Sequence, residues 1–563
     1  MSYRAPVAEM RFLIDAVLGG GRLAETARFA EATPETVEAV LSGAARLAEE
    51  VMAPLRRAGD LEPARLENGV VRCTPGFPDA YRAIAEGGWI GLTADPEQGG
   101  SGLPTLLLTC VNEMMAGANL ALSLAPLLTQ GAIEALQAHG DADLRAIYLP
   151  KLVSGAWTGT MNLTEPQAGS DVGAIRTRAE PDGAGRYAIT GQKIFISWGD
   201  HDMAENICHM VLARLPDAAP GTRGISLFLV PKFLPDAGGG PGRANSLRAA
   251  SLEHKMGLHG SPTCVMHYEG ATGWLVGGAH RGMAAMFTMM NNARLGVGVE
   301  GLGSADAALQ AALAYARDRV QGRGPDGAAT SILGHADVRR MLATMGALTA
   351  TARAICLDCA LSTDMAAATG EAGWAARAAF LTPIAKAFGT DAGCEVSSLA
   401  MQVVGGMGYI EETGIAQFYR DVRVTAIYEG TNGIQAMDLV GRKLADGGAA
   451  ARALIGEIAA TAEAAGERGL RLGAAAGQLS EATAWMLAAA GDERFAGAVP
   501  YLRAFALTLG GHYLLKAAEA AGGGGQRAAL ADFHLRHMLS EVEGLAARAC
   551  AGAATLRALD FEA

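Results

Sequence analysis

The stretch TAIYEGTNGIQ, residues 425–435, sets one carboxylate, Glu429, between Tyr428 and Gly430. Its flanks, IAQFYRDVRV and AMDLVGRKL, read as helices. Glu429 therefore falls in a short loop where Gly430 frees the turn and Thr431 or Asn432 can cap the next helix. A helix N-terminus stabilises nearby negative charge, and burial beside Tyr428 opposes it. These opposed effects can bring a carboxylate close to the acidity that a general base needs. A solvated loop acid is the other reading of the same residues.

Three more stretches offer ligand-binding groups. MNLTEPQAGSDVG, residues 161–173, runs from Met161 and Leu163 through Thr164, Gly169 and Ser170. Hydroxyls and bare backbone N–H groups in such a turn can cradle a phosphate or a ring edge. A strand ending Phe195-Ile196-Ser197-Trp198 can present flat surface and a hydroxyl to an aromatic cofactor, or bury an aromatic in a core. QVVGGMGYIEETG, residues 402–414, has glycines at 405, 406 and 408, which permit close approach to a ligand or a helix. These glycines follow no strand pattern, so they are not read as a dinucleotide-binding βαβ fingerprint.

The elements that must position these groups change along the chain. Residues 1–155 read as mostly helical, with a stop at Pro54 and nearly all-apolar helices around 97–128. Residues 156–285 hold GRYAITGQKIFIS, ICHMVLARL, GISLFLVPKF and TCVMHYEGATGWLVG, strand-like runs split by Gly/Pro turns, which predict an antiparallel β domain or small barrel. Helices return over 286–445, and 446–563 reads as an extra Ala-rich helical domain with a break at AGGGGQ. Its apolar stripes must be covered by the core, a partner subunit or a membrane. Nearly balanced charge there disfavours an anionic membrane.

The chain has 563 residues, half of them hydrophobic, so two to four domains with substantial cores are expected. A net charge of -12 argues against a nucleic-acid partner. No apolar run reads as long enough to span a bilayer, and charges interrupt the N-terminal segment, so a cytoplasmic location is expected. Eight scattered cysteines suit a reduced compartment. Cys356 and Cys359 form an isolated C-x-x-C, and His534 and His537 read as surface histidines on a helix; no metal site is expected.

LTEPQAGSD, GQKIFIS, MNNARLGVGVEGLG, YARDR, QVVGGMGY and IYEGTNGIQ occur here in one order and spacing. Together they resemble the acyl-CoA dehydrogenase family of flavoproteins, over roughly residues 40–445. The N-terminal YRAPVAEMRFLIDAVL, the 251–277 stretch and the extra C-terminal helices are similar to a longer bacterial branch of that family. The resemblance implies FAD and an α+β fold: an N-terminal helical domain, a middle antiparallel β barrel and a C-terminal four-helix bundle, followed by the extra helical domain. It implies that Glu429 removes the α-proton of an acyl-CoA, that its backbone N–H helps bind the thioester oxygen, and that the β-hydride passes to the flavin.

By the same resemblance Met161, Leu163, Thr164, Gly169, Ser170, Phe195, Ile196 and Ser197 contact the flavin side of FAD. Ser170, Asn291, Arg294, Tyr428 and Gly430 serve the substrate or orient the base loop. Arg319, Gln321, Gln402, Gly405 and Gly406 bind the diphosphate and adenosine, some of them across a homodimer interface, and Thr431 and Asn432 close on the diphosphate. An electron-transfer flavoprotein is the implied acceptor; an acyl-CoA oxidase or a non-dehydrogenating flavin/CoA-binding relative fits the same motifs. Two positions depart from the pattern. Gln167 replaces a common glycine, which a negative φ would allow, and Gly322-Arg323 stands where many relatives have Phe-Gly.

Overall fold

The structure, a computed structural model, describes residues 3–324 and 327–561. Its N-terminal third is helical around one long helix, α1 (Thr105–His139), with most side chains buried. The helix bends at Asn119, whose backbone leaves the helical region (φ -158°, ψ 91°). The Asn119 side chain accepts from the Leu122 N–H and donates to the Met52 carbonyl, so it re-caps the second half of α1 and ties it to the preceding helices. Contrary to the expectation from sequence, α1 is long and apolar enough to cross a membrane, but 89% of its most apolar window is buried inside the protein. Pro54 does not stop the early helix either. The path from Pro34 to Leu61 continues through a 3-10 turn, where proline's missing N–H costs little.

The middle region is a seven-stranded sheet: β1 (Trp157–Asn162), β2 (Arg178–Pro181), β3 (Tyr187–Ser197), β4 (Asn206–Arg214), β5 (Ile225–Pro231), β6 (Leu247–Leu252) and β7 (Thr263–Val276). The order β7-β3-β2-β4-β5 returns to β7, so five strands close a ring, with β6 and β1 attached. The four strand-like runs bracketed by turns in the sequence are present. The expectation of a purely antiparallel barrel needs correction: β1 runs parallel to β4 throughout, and β2 meets β4 in parallel at Arg178 and Arg214. All six residues of β1 are buried, so it lacks the in–out alternation by which sequence reveals a strand.

Helices follow: α2 (Gly282–Asp318), α3 (Ala336–Thr369), α4 (Ala372–Val404) and the short α5 (Asn432–Gly441). α2 packs on α1, α3 and α4. The α2–α4 crossing is a backbone contact. A Cβ on Gly298 would sit 2.5 Å from the Ala385 carbonyl oxygen, and one on Gly301 would sit 2.3 Å from that of Gly389. Only glycine permits this approach, and it brings neighbouring side chains of both helices toward the loop before α5.

The last 100 or so residues form further helices dominated by α6 (Ala498–Ala520), which lies on α3, α4 and α5. Phe505 meets Phe380 edge-on at 4.9 Å, and Arg377 joins Asp358 of α3 to Glu457 of the C-terminal region. The apolar stripes of this region are thus covered by the chain's own helices. His534 is fully buried, with its Nε2 2.8 Å from the Leu507 carbonyl oxygen, so it is not the surface histidine expected; His537 is exposed. Cys356 and Cys359 lie buried within α3, and no cluster of metal-ligating side chains occurs among the described residues.

Candidate active site

Glu429 adopts φ +53°, a left-handed conformation that costs a non-glycine residue about 1 kcal/mol or more. Gly430 follows at φ +84°, and Thr431 caps α5 by accepting from the Ile434 N–H. Asn432 fastens the turn to α4. Its side chain donates to Asp391 and the Ala387 carbonyl, and accepts from Lys386 Nζ at 2.9 Å. The strained residue is therefore held from behind, with its carboxylate turned toward a cavity.

That cavity, about 30 Å³, lies between the second half of α1, α2 and the sheet. Leu124, Leu127 and Leu128 of α1 and Met289 and Val297 of α2 line it with Met161, Ser197, Tyr428 and Glu429. Burial raises the Glu429 pKa to about 7, opposed by the positive charges of Lys386 and Arg294. Among the described residues no hydrogen bond reaches its carboxylate. Such a group is partly ionised at neutral pH and has no partner to release, so it can take a proton from whatever enters the cavity.

The flanking charges come from the helix crossing. Lys386 of α4 is fully buried, and burial lowers its pKa to about 8. Arg294 of α2 pairs with Asp438 of α5 at 3.5 Å. Glu300, also on α2 and buried, accepts a short hydrogen bond from the Tyr428 hydroxyl.

The structure gathers Met161, Ser197, Tyr428 and Glu429 around the cavity, with Gly430 next to it in the loop. Asn291 and Arg294 open instead on a second, larger cavity of about 400 Å³ among α1 to α4, which also includes Glu134, Asn292 and Lys443. The 163–170 loop is pinned by a buried ion pair, Lys193–Glu165, at 2.9 Å. Lys193 also donates to the Leu163 carbonyl, and Glu165 accepts from the Arg176 and Thr177 N–H groups. Although burial opposes it, Lys193 and these hydrogen bonds hold the Glu165 pKa down at about 2. Gln167 has no positive φ and adds a 2.7 Å hydrogen bond to Glu165, so the departure from glycine reinforces the loop.

Leu163 and Thr164 are partly buried, and Gly169 and Ser170 are exposed on this loop. Phe195 is 60% exposed at φ +60°, with its ring presented outward beside Ser197. The Ile196 side chain points the other way, into the barrel core, leaving only its backbone on the outer face. Arg319 and Gln321 stand exposed on a hairpin (Val320–Arg323 with Ala329–Ser331), where Gly322 has φ +79° and Arg323 donates to the Gly327 carbonyl. Gln402, Gly405 and Gly406 are exposed at the end of α4, where a Cβ on either glycine would meet nothing within 4 Å. Beside them Met407, Tyr409 and Ile410 are open to solvent. None of these residues is among the described residues that line the Glu429 cavity.

Sequence reasoning missed Glu165, Lys193, Lys386 and Glu300. Three carried a signal: Glu165, Lys193 and Glu300 lie inside LTEPQAGSD, GQKIFIS and MNNARLGVGVEGLG. Lys386 and Glu300 are each flanked by apolar or small residues within a long helix, a pattern that marks burial and therefore a needed partner.

Comparison with known proteins agrees with this architecture. The chain matches the models "Acyl-CoA dehydrogenase, N-terminal domain" over 34–156, "middle domain" over 160–271 and "C-terminal domain" over 280–444, and "Acetyl-CoA dehydrogenase C-terminal like" over 454–560. It is 46% identical to 3-methylmercaptopropionyl-CoA dehydrogenase of Ruegeria pomeroyi, covering 89% of this chain and 88% of that one. It is 35% identical to the broad-specificity linear acyl-CoA dehydrogenase FadE5 of Mycobacterium tuberculosis, covering 81% and 78%. The solved structure of Caenorhabditis elegans ACDH-11 in complex with C11-CoA shares the fold, with a TM-score of 0.79 at 22% identity over 98% of this chain and 91% of that one. With its three successive domains, the fourth that follows and relatives matched along most of its length, the chain belongs to the acyl-CoA dehydrogenase family of FAD flavoenzymes.

Proposed function

We propose that the protein oxidises the Cα–Cβ bond of an acyl-CoA thioester to the trans-2-enoyl-CoA, with Glu429 as the base that removes the α-proton. The observation that carries this reading is the unpartnered Glu429 carboxylate, held in a strained loop at an apolar cavity. Lys386 and Arg294 keep a fraction of it ionised near neutrality. The Glu429 backbone N–H polarises the thioester carbonyl, so that negative charge developing there meets a fixed donor. The α1 and α2 side chains exclude water from the acyl group.

FAD, when bound, supplies the acceptor for the β-hydride. The residues present fit it. Phe195 and Ser197 offer an exposed flat face beside the cavity, the 163–170 loop is rigidly pinned, and Gly405 and Gly406 leave open space beside exposed apolar side chains. Met161, Leu163, Thr164, Gly169 and Ser170 would hold the flavin side, and Thr431 would offer the capped N-terminus of α5 to the diphosphate. Asn432 acts on that turn through α4. Arg319, Gln321, Gln402, Gly405 and Gly406 are exposed and do not line the cavity, which supports binding of the diphosphate and adenosine across a homodimer interface. Boundaries near residues 155, 285 and 445, a cytoplasmic location and an electron-transfer flavoprotein as acceptor complete the proposal.

The test is anaerobic titration of purified holoprotein with a panel of acyl-CoA thioesters. Bleaching of the flavin absorbance is expected; a flavin that no thioester bleaches would overturn the reading. Reduced enzyme should reoxidise slowly in air and quickly with an electron-transfer flavoprotein. Stoichiometric peroxide at the full turnover rate would make it an oxidase.

A further inference from the structure

Glu300 is 2% exposed and lines the same cavity as Glu429. One of its oxygens, Oε2, accepts from the Tyr428 hydroxyl. The other, Oε1, is buried and has no hydrogen-bond partner among the described residues. Leaving a buried carboxyl oxygen unmatched is destabilising, more so if charged, so its retention in a space lined largely by leucine and methionine needs a reason. The α2 backbone beside it cannot withdraw, because Gly298 and Gly301 are in contact with α4.

We propose that Glu300 is a specificity-determining residue whose free oxygen hydrogen-bonds a heteroatom in the acyl chain, selecting short acyl-CoA substrates with an ether, hydroxyl or thioether group over plain alkyl chains of equal length. This rests on the dehydrogenase reading above. Burial, and to a lesser extent the charge of Glu429, raises the Glu300 pKa to about 8, so near neutrality the carboxyl is mainly protonated. With Tyr428 donating to Oε2, the proton resides on Oε1, which becomes a donor facing an acceptor on the substrate. The free cavity at Glu300 and Glu429 is small, about 30 Å³, which favours short chains over long ones. A site built to pair a polar group discriminates strongly against the analogue that lacks it, because the site's own group is then left unmatched.

The experiment compares 3-methoxypropionyl-CoA with pentanoyl-CoA, chains of equal length that differ in one CH₂-for-oxygen exchange. Turnover with an artificial electron acceptor gives the ratio of kcat/KM values for the two in wild type, Glu300→Leu and Glu300→Gln. The ether-to-alkyl ratio should fall at least about tenfold in Glu300→Leu and stay within about threefold in Glu300→Gln, whose carboxamide still donates. Calorimetric Kd values for both thioesters on the flavin-loaded Glu429→Gln protein, with and without Glu300→Leu, should show the same selective loss without turnover. An unchanged ratio, or equal losses on both substrates, would overturn the proposal by showing that Glu300 acts only on the fold or on Glu429. Failure of every thioester to bleach the wild-type flavin would instead overturn the dehydrogenase reading.

Discussion

Two buried charge clusters draw on the same helix, α2, six residues apart, and they are built in opposite ways. Around Asp306, Arg353 of α3 donates to both Asp306 and Glu113 at 2.8 Å. Both acids of that cluster are bonded to Arg353, with only Glu113 Oε2 left unmatched, and the cluster joins α1, α2 and α3. Around Glu300, Lys386 and Arg294 are spent on Asn432 and Asp438, so Glu429 feels their charge across space with no hydrogen bond to its carboxylate. Both clusters pay the desolvation cost of burial, yet only one recovers it in contacts. The closed cluster is scaffold. The open one keeps a proton acceptor in reserve beside a cavity, where strain and incomplete pairing are stored for use.

Neutralising each cluster should separate these roles. Glu429→Gln should retain FAD and bind acyl-CoA while flavin reduction falls by about 10⁴ or more, since the proposed base is lost. Near-normal bleaching in stopped flow would assign the base elsewhere. Arg353→Met should do the reverse. It leaves Glu113 and Asp306 buried without a counter-ion and should cost about 3–5 kcal/mol in urea unfolding, while the activity that remains per folded, flavin-loaded protein is unchanged.

The pH dependence sharpens the contrast. The folded-state pKa of Glu429, about 7, lies above its ordinary 4.5, so folding favours its protonated form. The stability it contributes is present below pH 4.5 and is lost as pH rises through 7. Glu429→Gln should therefore match wild type in stability below pH 4.5 and exceed it by about 3 kcal/mol at pH 8, as read from urea midpoints. Activity runs the other way: kcat/KM should rise as pH passes about 7 and Glu429 ionises.

The smallest effect tests the flanking charge. Lys386 lowers the Glu429 pKa, so Lys386→Met should move the midpoint of the pH–kcat/KM profile upward by about one unit. Arg353→Met should leave it in place. A midpoint that ignores Lys386 would mean that Lys386 serves only to hold Asn432.

How much of this was legible in the sequence varies with the range of the interaction. The strands Tyr187–Ser197 and Thr263–Val276 were plain because they are rich in β-branched and aromatic residues and turns bracket them. The strand Trp157–Asn162, buried on both faces, had no alternation to read. Thr431 as a cap and Gly430 as a turn were visible because their partners lie a few residues away. The length of α1 was underestimated because Asn119 and Pro126 interrupt its pattern, while the tertiary structure spans them as one bent helix.

The sequence by itself determined the order of motifs, the strand and helix periods around them and the capped loop that carries Glu429, since each depends on neighbours along the chain. Only the tertiary structure decided which charges face that carboxylate. Lys386 reaches Asn432 across 46 residues and Tyr428 meets Glu300 across 128. Periodicity shows that such a residue points inward but not which helix will oppose it. Here the pairing is set by glycines that let α2 and α4 touch backbone to backbone, a contact that exists only once the chain has folded.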